Sequence, residues 1–243
     1  MQSKPTNKLD FFATPAHTCS YLPEREATTL FADPKFPKDT DLYTLLSMNG
    51  FRRSGRHVYR PYCKACRACI PIRVPVRDFM PKRSQRRVLR RNADLHVITR
   101  EARLRDDHFR LYQRYINHRH KGGGMENPTR EQFVEFLTSD WSDTVFYEFR
   151  HGEQLLAVSV TDHLRDGCSA AYTFFDPDMP NRSLGVYTIL WQLGEVARLG
   201  RHWLYLGYLI NACQKMKYKR EYQPQEHLIG NEWRLDVASE SQT

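Results

Sequence analysis

The sequence has no run of about 18 uncharged apolar residues, which excludes an ordinary membrane-spanning helix. Met1 to Asp10 lacks the apolar stretch of a secretion signal, so the expected location is cytoplasmic. In that reducing compartment the six cysteines are expected as thiols rather than disulfides. Internal repeats and low-complexity segments are also missing. Bulk disorder is excluded, because 40% hydrophobic and 12% aromatic residues in a chain of 243 supply a core. The most informative shortage is of acid. From Phe51 to Arg91 there is one acidic residue, Asp78, against 14 basic ones. These 41 residues carry +13, whereas the other 202, with 23 basic and 27 acidic, carry −4. The net charge of +9 thus belongs to one segment, and that segment suggests a polyanionic partner.

Three regions follow along the chain. Residues 1–50 read as loop-rich, broken by Pro5, Pro15, Pro23, Pro34 and Pro37, with one short helix over Asp41–Met48 between Asp39 or Thr40 and Asn49-Gly50. Residues 51–100 hold the basic run and a cysteine cluster, with strand pieces at Val74–Val76 and Leu95–Ile98. Residues 101–243 read as a compact α/β unit. Its helices are expected over Arg103–Arg119, Thr129–Ser139 and Ser183–Leu199. Its strands are a hairpin of Thr144–Phe149 with Gln154–Thr161, then Cys168–Phe175 and Trp203–Gly207. The fold class is therefore mixed α/β (α+β). The expected division is an N-terminal Cys-containing basic region, 1–100, and a transferase unit, 101–243.

Three features carry chemistry. Cys63, Cys66 and Cys69 stand at two-residue gaps, a spacing that lets neighbouring sulfurs converge on an ion or cluster, with Cys19 as a fourth candidate metal ligand. Cys168 and Cys213 fall in expected core elements and read as small hydrophobes. Lys82-Arg83, Arg86-Arg87 and Arg90-Arg91 recur every four residues, so a helix starting near Pro81 stacks them along one face. Guanidinium ladders suit phosphates, and this segment has almost no acids to pair them internally. Finally, Asp176-Pro-Asp-Met-Pro-Asn-Arg-Ser-Leu-Gly185 links a strand to a helix start. Helix N-termini bind anions, and Arg182 or Ser183 is placed to complete such a site. An acyltransferase core that uses acetyl-CoA holds a pyrophosphate at this turn; ordinary capping by Ser183 is the plainer alternative.

With these residues in view, the chain resembles the arginyl-tRNA–protein transferase family, and within it the short bacterial branch of aspartate/glutamate leucyltransferases. The resemblance rests on Cys19-Ser-Tyr-Leu-Pro23, Gly50-Phe-Arg-Arg-Ser-Gly55, Tyr59-Arg-Pro-Tyr-Cys63, Tyr172-Thr-Phe-Phe-Asp-Pro-Asp178, Arg182-Ser-Leu-Gly185, Tyr205-Leu-Gly-Tyr208 and Lys215-Met-Lys-Tyr-Lys219. It implies a GNAT-like acyltransferase core. It further implies transfer of an amino acid, leucine in the bacterial branch, from its tRNA to proteins with N-terminal Asp or Glu, marking them for N-end rule degradation. The partners implied are Leu-tRNA and acidic N-termini, with neither membrane nor DNA. There is one departure. The eukaryotic branch carries a CxxC near its N-terminus, where this chain has Cys19-Ser-Tyr-Leu22. Its iron–sulfur cluster is therefore not transferred directly; zinc or a cluster at Cys19, Cys63, Cys66 and Cys69 stays open.

The implied reaction is aminolysis of an activated ester and asks for no cofactor. Asp176 is a candidate to hold the ammonium or relay a proton. Tyr172, Tyr208 and Tyr205 are candidates to donate to the oxyanion or stack on the terminal adenosine. Arg119, beside His120 and the Gly122–Gly124 turn, and Arg182 are candidate readers of the acidic side chain. Lys217 and Lys219 are candidates for acceptor-stem phosphates. Two alternatives remain: an arginyl-tRNA donor with the same acceptors, and a GNAT enzyme that uses acetyl-CoA. A non-enzymatic RNA-binding module would leave residues 101–243 without a purpose.

Overall fold

The computed structural model describes residues 8–119 and 126–236. The chain opens with β1 (Phe11–Ala13), β2 (His17–Thr18), β3 (Glu26–Ala27) and β4 (Thr29–Ala32), followed by α1 (Thr40–Met48), β5 (Arg52–Ser54) and β6 (His57–Pro61). The region expected to be loop-rich thus contains strands, each too short for its side-chain alternation to stand out. A four-stranded sheet runs β1-β4-β6-β5, and β2 pairs with β3. Helix α1 starts as its sequence requires: the Asp39 carboxylate accepts from the Leu42 N–H at 2.8 Å.

The larger body begins with β7 (Ile70–Pro75), α2 (Arg83–Arg91) and β8 (His96–Glu101). Helices α3 (Asp106–Arg119) and α4 (Arg130–Leu137), then strands β9 (Thr144–His151), β10 (Gln154–His163) and β11 (Gly167–Phe175) follow. After these come α5 (Leu184–Arg198), β12 (Trp203–Leu209), β13 (Glu226–Ile229) and β14 (Glu232–Leu235). Helix α3 begins three residues later than the sequence suggests, because β8 continues to Glu101 and a turn donates the Arg103 N–H to the Glu101 carbonyl. Eight strands form one sheet in the order β14-β13-β7-β12-β11-β10-β9-β8. Strand β7 and all of β8 except Glu101 lie before residue 101 yet belong to this sheet.

Every neighbouring pair is antiparallel except β11 and β12, which α5 connects as a crossover. Side chains alternate through the sheet. Phe146, Val158, Val160 and Phe174 pack under α3 and α4, against Leu111, Tyr112, Ile116 and Phe133. Ile72, Val74, Leu204 and Leu206 pack on the opposite face with Leu190, Leu193 and Val196 of α5. Among the described residues no helix is long and apolar enough to cross a membrane.

One buried ion pair joins the small sheet to the large one. The Arg53 guanidinium on β5 donates to the Asp162 carboxylate on β10 at 2.7–3.0 Å, and both side chains are inaccessible to water. Asp162 also accepts from the Tyr43 hydroxyl of α1 at 2.9 Å and the Thr144 hydroxyl of β9 at 2.7 Å. Arg53 spends its remaining donors on the carbonyls of Gly55, Leu137 and Thr138, the last two at the C-terminal end of α4. All the strong valences of the pair are satisfied.

Arg53→Met would leave Asp162 charged and buried beside two hydroxyls. A loss of roughly 3–5 kcal/mol is expected by urea denaturation, and the double variant Arg53→Met/Asp162→Leu should recover much of it. Full stability in the single variant would show that the pair does not bind the sheets together.

Candidate active site and nucleic-acid interface

The parallel pair β11–β12 stays in register for only three residues: Gly167 with Trp203, Cys168 with Leu204, and Ser169 with Tyr205. Beyond Tyr205 the register of β12 against β7 slips, and Gly207 adopts φ +75°. The two strands then part toward their C-terminal ends. Crevices at the C-terminal ends of parallel strands are the usual ligand sites of open α/β sheets.

Residues 172, 174 and 176 of this segment share the face covered by α3. Tyr172 contacts the rings of Phe136 at 5.0 Å, Tyr112 at 6.3 Å and Tyr115 at 6.4 Å, and burial raises its pKa. Asp176, at the end of β11, is buried, and its Oδ1 accepts from Arg114 Nη2 at 2.9 Å and from the Asp178 N–H at 3.0 Å. The same Arg114 nitrogen reaches Asp178 Oδ2 at 2.6 Å. Arg114 is therefore a further member of this corner. The sequence marks it only as one cation within α3.

The turn after Asp176 has a 3₁₀ segment over Pro180–Arg182 and enters α5 at Ser183, whose φ is +52°. Ser183 does not cap with its hydroxyl; its carbonyl accepts from the Val186 and Tyr187 N–H groups. Gly185 allows close packing, since a Cβ there would lie 3.0 Å from the Phe175 ring. The Arg182 fork is taken by Asp94, at 2.9 and 2.8 Å, and this hydrogen-bonded guanidinium lowers the Asp94 carboxyl to about 2. Asn92 donates to the Arg182 carbonyl at 2.8 Å and Arg91 to that of Asn181. The C-terminal end of α2 is thereby latched to this turn.

Helix α2 has the geometry its spacing requires. Lys82 is the N-cap residue, and its backbone N–H donates to Gln85 Oε1 at 2.8 Å. Lys82, Arg83, Arg86, Arg87, Arg90 and Arg91 are all exposed, while Val88 and Leu89 pack into the core. Lys82 pairs with Glu221 at 3.0 Å; among the described residues none of the five arginines has a carboxylate partner. Arg91 and Arg90 in the last turn also complement the helix dipole.

The remaining candidates separate by burial. The Tyr208 hydroxyl donates to the carbonyls of Gly50 at 2.9 Å and Tyr59 at 3.4 Å, and that of Tyr205 donates to Asp166 at 2.7 Å. Lys217 is exposed at the head of the 3₁₀ segment Lys217–Glu221. Lys219 is buried, and its Nζ donates to the Tyr208 carbonyl at 2.8 Å. Arg119 is exposed, with Cζ 5.9 Å from the Tyr115 ring centroid, and lies close enough to Tyr172 and Tyr218 to affect their ionisation. The positive charge of Arg52 also acts on Tyr218. His120 and the Gly122–Gly124 turn lie outside the described residues.

Cys19, Cys63, Cys66 and Cys69 are half-buried thiols. The Ala68 N–H and the Arg25 guanidinium, 3.2 Å away, lower the Cys66 pKa. Burial pushes Cys69 up to about 12, helped by Cys19, Cys63, Cys66 and Cys213. Cys213, expected in the core, instead stands half-buried in the turn after β12, beside this cluster. Tetrahedral zinc with bonds of about 2.3 Å needs sulfurs ~3.8 Å apart. Among the described residues no three thiols lie within 4.8 Å of one another, so the set does not fit a mononuclear zinc centre. One group does lie within that distance: Asp107, His108 and Glu148. Glu148 is already engaged there by His108 and Arg150, both at 2.7 Å, and Arg100 at 3.4 Å, and the two guanidiniums repel a cation.

Two family descriptions match this chain: arginine-tRNA-protein transferase, N terminus, over residues 17–87, and arginine-tRNA-protein transferase, C terminus, over residues 107–229. An aspartate/glutamate leucyltransferase of Alcanivorax borkumensis is 55% identical over 226 residues, covering 93% of each chain. Proteins of the same name from Pseudomonas aeruginosa and Pseudomonas syringae pv. tomato are 53% and 54% identical, covering 93% of this chain and 96% of theirs. Among solved structures, the C-terminal domain of a putative lysylphosphatidylglycerol synthetase from Agrobacterium fabrum aligns with 70% of this chain and 52% of its own. Its TM-score is 0.46 at 14% identity, too distant to define the fold. On the two matched segments and these full-length likenesses, the chain belongs to the arginine-tRNA-protein transferase family.

Proposed function

We propose that this chain transfers leucine from leucyl-tRNA to the α-amine of proteins that begin with Asp or Glu, forming a peptide bond and an N-end rule degradation signal. The observation that carries this reading is identity above half over 93% of the chain with proteins named aspartate/glutamate leucyltransferase. The reaction belongs to the cytoplasm, where charged tRNA and free protein N-termini meet.

The chemistry needs little beyond alignment. An N-terminal amine with pKa about 7.7–8.0 is partly neutral near pH 7, and the aminoacyl ester is already activated. Holding amine and carbonyl together is worth roughly 7–11 kcal/mol. The oxyanion must be stabilised and the departing ribose oxygen protonated. Tyr172, half-buried on the α3 face of β11, is the proton donor in this reading, and the proton that the attacking amine gives up as the peptide bond forms restores its phenol. Asp176, kept in place by Arg114, attracts the incoming ammonium. Tyr208 and Tyr205 act as positioning residues, because their hydroxyls are committed within the protein.

A GNAT-like core is part of the proposal. It is supported by the splayed parallel pair, the α5 crossover and the Gly185 turn. In the division of labour, residues 1–100 grip the tRNA and residues 101–243 carry out transfer. The grip is the exposed face of α2, held next to the α5 turn by Asn92 and Arg91, with Lys217 and Arg119 at the margin and tRNA rather than DNA as the polyanion. A polynuclear iron–sulfur cluster at Cys19, Cys63, Cys66 and Cys69 remains compatible with thiols that perturb one another's ionisation. No step of the transfer passes through it.

Radiolabelled leucyl-tRNA, arginyl-tRNA or acetyl-CoA offered with peptides beginning Asp, Glu or Ala tests the reaction. Label is expected from leucyl-tRNA on Asp and Glu peptides; transfer from acetyl-CoA alone, or equal labelling of the Ala peptide, would reject it. Replacing Arg86, Arg87, Arg90 and Arg91 by Gln should weaken tRNA binding. It should also flatten the log–log salt dependence by roughly 0.7–0.9 for each phosphate left without a cation. An unchanged slope would move the tRNA elsewhere on the protein. Iron and sulfide analysis of anaerobically purified protein tests the cluster.

A further inference from the structure

Arg52 and Arg53 are adjacent on β5, and successive strand side chains diverge. Arg53 meets Asp162. Arg52 enters the gap between β11 and β12, just past the last paired residues, Ser169 and Tyr205. Its Nη2 donates to the carbonyls of Ala170 at 2.8 Å and Ala171 at 3.1 Å. Its Nη1 lies against Gly207, where a Cβ would come within 2.1 Å of it, so only glycine admits the guanidinium. On the next residue, the Tyr208 carbonyl accepts from Lys219 Nζ at 2.8 Å. Two cations therefore bracket the Gly207–Tyr208 backbone.

Neither cation has a carboxylate partner among the described residues. Three other cations withdrawn from water are paired with acids: Arg53 has Asp162, Arg73 has Glu226 at 2.8 Å, and Arg150 has Glu148 and Asp107 at 2.7 and 2.5 Å. The titratable groups that act on Arg52 are the phenols of Tyr59, Tyr208, Tyr43 and Tyr21. Burial raises Tyr21 and Cys69 to about 12 and holds Tyr208 well above its usual value, so none is a counter-ion near neutral pH. Burial and the nearby Arg52 lower the Lys219 pKa well below its usual value. An unpaired cation held away from water favours any anion that can reach it.

We propose that the gap between β11 and β12 is the seat of the acceptor's first side chain, with the Asp or Glu carboxylate docked on Arg52 and the Lys219 amine behind it. This inference rests on the acidic-acceptor reading above. Both Nη2 hydrogens are held by the β11 carbonyls, so a carboxylate would meet the rest of the guanidinium through one charge-assisted hydrogen bond. Arg182, the alternative fork, is already closed by Asp94. The six α2 cations that suit phosphates lie in the open, whereas Arg52 is half-buried and Lys219 is 4% exposed. Such a seat admits one small charged group more readily than a nucleic-acid backbone. It would also reject Asn and Gln, whose amides offer no charge.

The test uses the full chain with leucyl-tRNA and peptides beginning Glu or Gln. If wild type fails to leucylate the Glu peptide, the functional reading itself falls, and this inference with it. If wild type succeeds, Arg52→Gln is expected to raise KM for the Glu peptide by roughly 10- to 100-fold, the size of one missing hydrogen bond to a charged group. It should bring the Glu and Gln peptides toward equality while leaving the leucyl-tRNA Kd unchanged. Lys219→Met should weaken the same preference to a smaller degree. Retained Glu selectivity in folded Arg52→Gln would overturn the proposal. So would weakened tRNA binding with selectivity intact, which would assign the site to a phosphate. Should Arg52→Gln fail to fold, phenylglyoxal labelling of the wild type, mapped by mass spectrometry, decides the matter. The dipeptide Glu-Ala should protect Arg52 and Gln-Ala should not; equal protection, or protection by tRNA alone, refutes the seat.

Discussion

The buried contact between Arg53 and Asp162 fixes nearly everything else in this protein. It ties β5 to β10 and, through the Tyr43 and Thr144 hydroxyls and the α4 carbonyls, fastens α1, β9 and α4 to the same point. Such a pair is weak support for stability compared with apolar packing, because two ions must be desolvated. Its value here is directional. It allows one docking of the small sheet on the large one, and Gly55 shows how tight that docking is: a Cβ would lie 1.7 Å from the Glu135 carbonyl. With the dock fixed, the preceding residue of β5 has one place to go, the split in the large sheet.

That split depends on a single parallel contact. The other neighbouring strands of the large sheet pair antiparallel, but the α5 crossover returns the chain parallel to β11, and the pairing fails after three residues. In many sheets such a gap would hold water or substrate directly. In this one a side chain from another sheet lies at its base, donating to the two β11 carbonyls that the missing ladder leaves open. Arg52 thus has a structural task and still presents a positive charge with no acid opposite it.

The sequence makes the large body legible because its elements are long and strongly patterned. The hairpin at His151-Gly152-Glu153, the crossover helix and the basic face of α2 all follow from spacing, although neither helix starts on a side-chain cap from its N-cap residue. The N-terminal strands do not, since segments of two to four residues show no period. Pairings across long separations are equally hidden. Val74–Val76 looks like an isolated strand piece, and nothing local says that the strand runs from Ile70 to Pro75 and lies between β12 and β13. At the site, chemistry-bearing residue types are visible but their commitments are not. Tyr208, Tyr205 and Arg182 have the right functional groups, yet each is turned toward a partner inside the protein. Cys213 is misplaced for a related reason: an apolar neighbourhood in sequence does not reveal a turn that brings it near Cys69.

The same distinction changes the meaning of the excess positive charge. A count over residues 51–91 treats 14 cations alike. In the fold they divide by dielectric environment. Arg53 and Arg73 are neutralised in the interior by acids from distant strands, and Arg73 is further enclosed between the Trp203 and Trp233 rings, 3.8 and 4.3 Å from its guanidinium carbon. The cations of α2 stay in water, where a single phosphate contact is weak and only the array binds. Arg52 belongs to neither class: it is half-buried, and its Nη2 meets backbone carbonyls rather than an acid. In the proposed function one basic segment serves two recognitions of different kind, a diffuse one for a polyanion and a local one for a single acidic group.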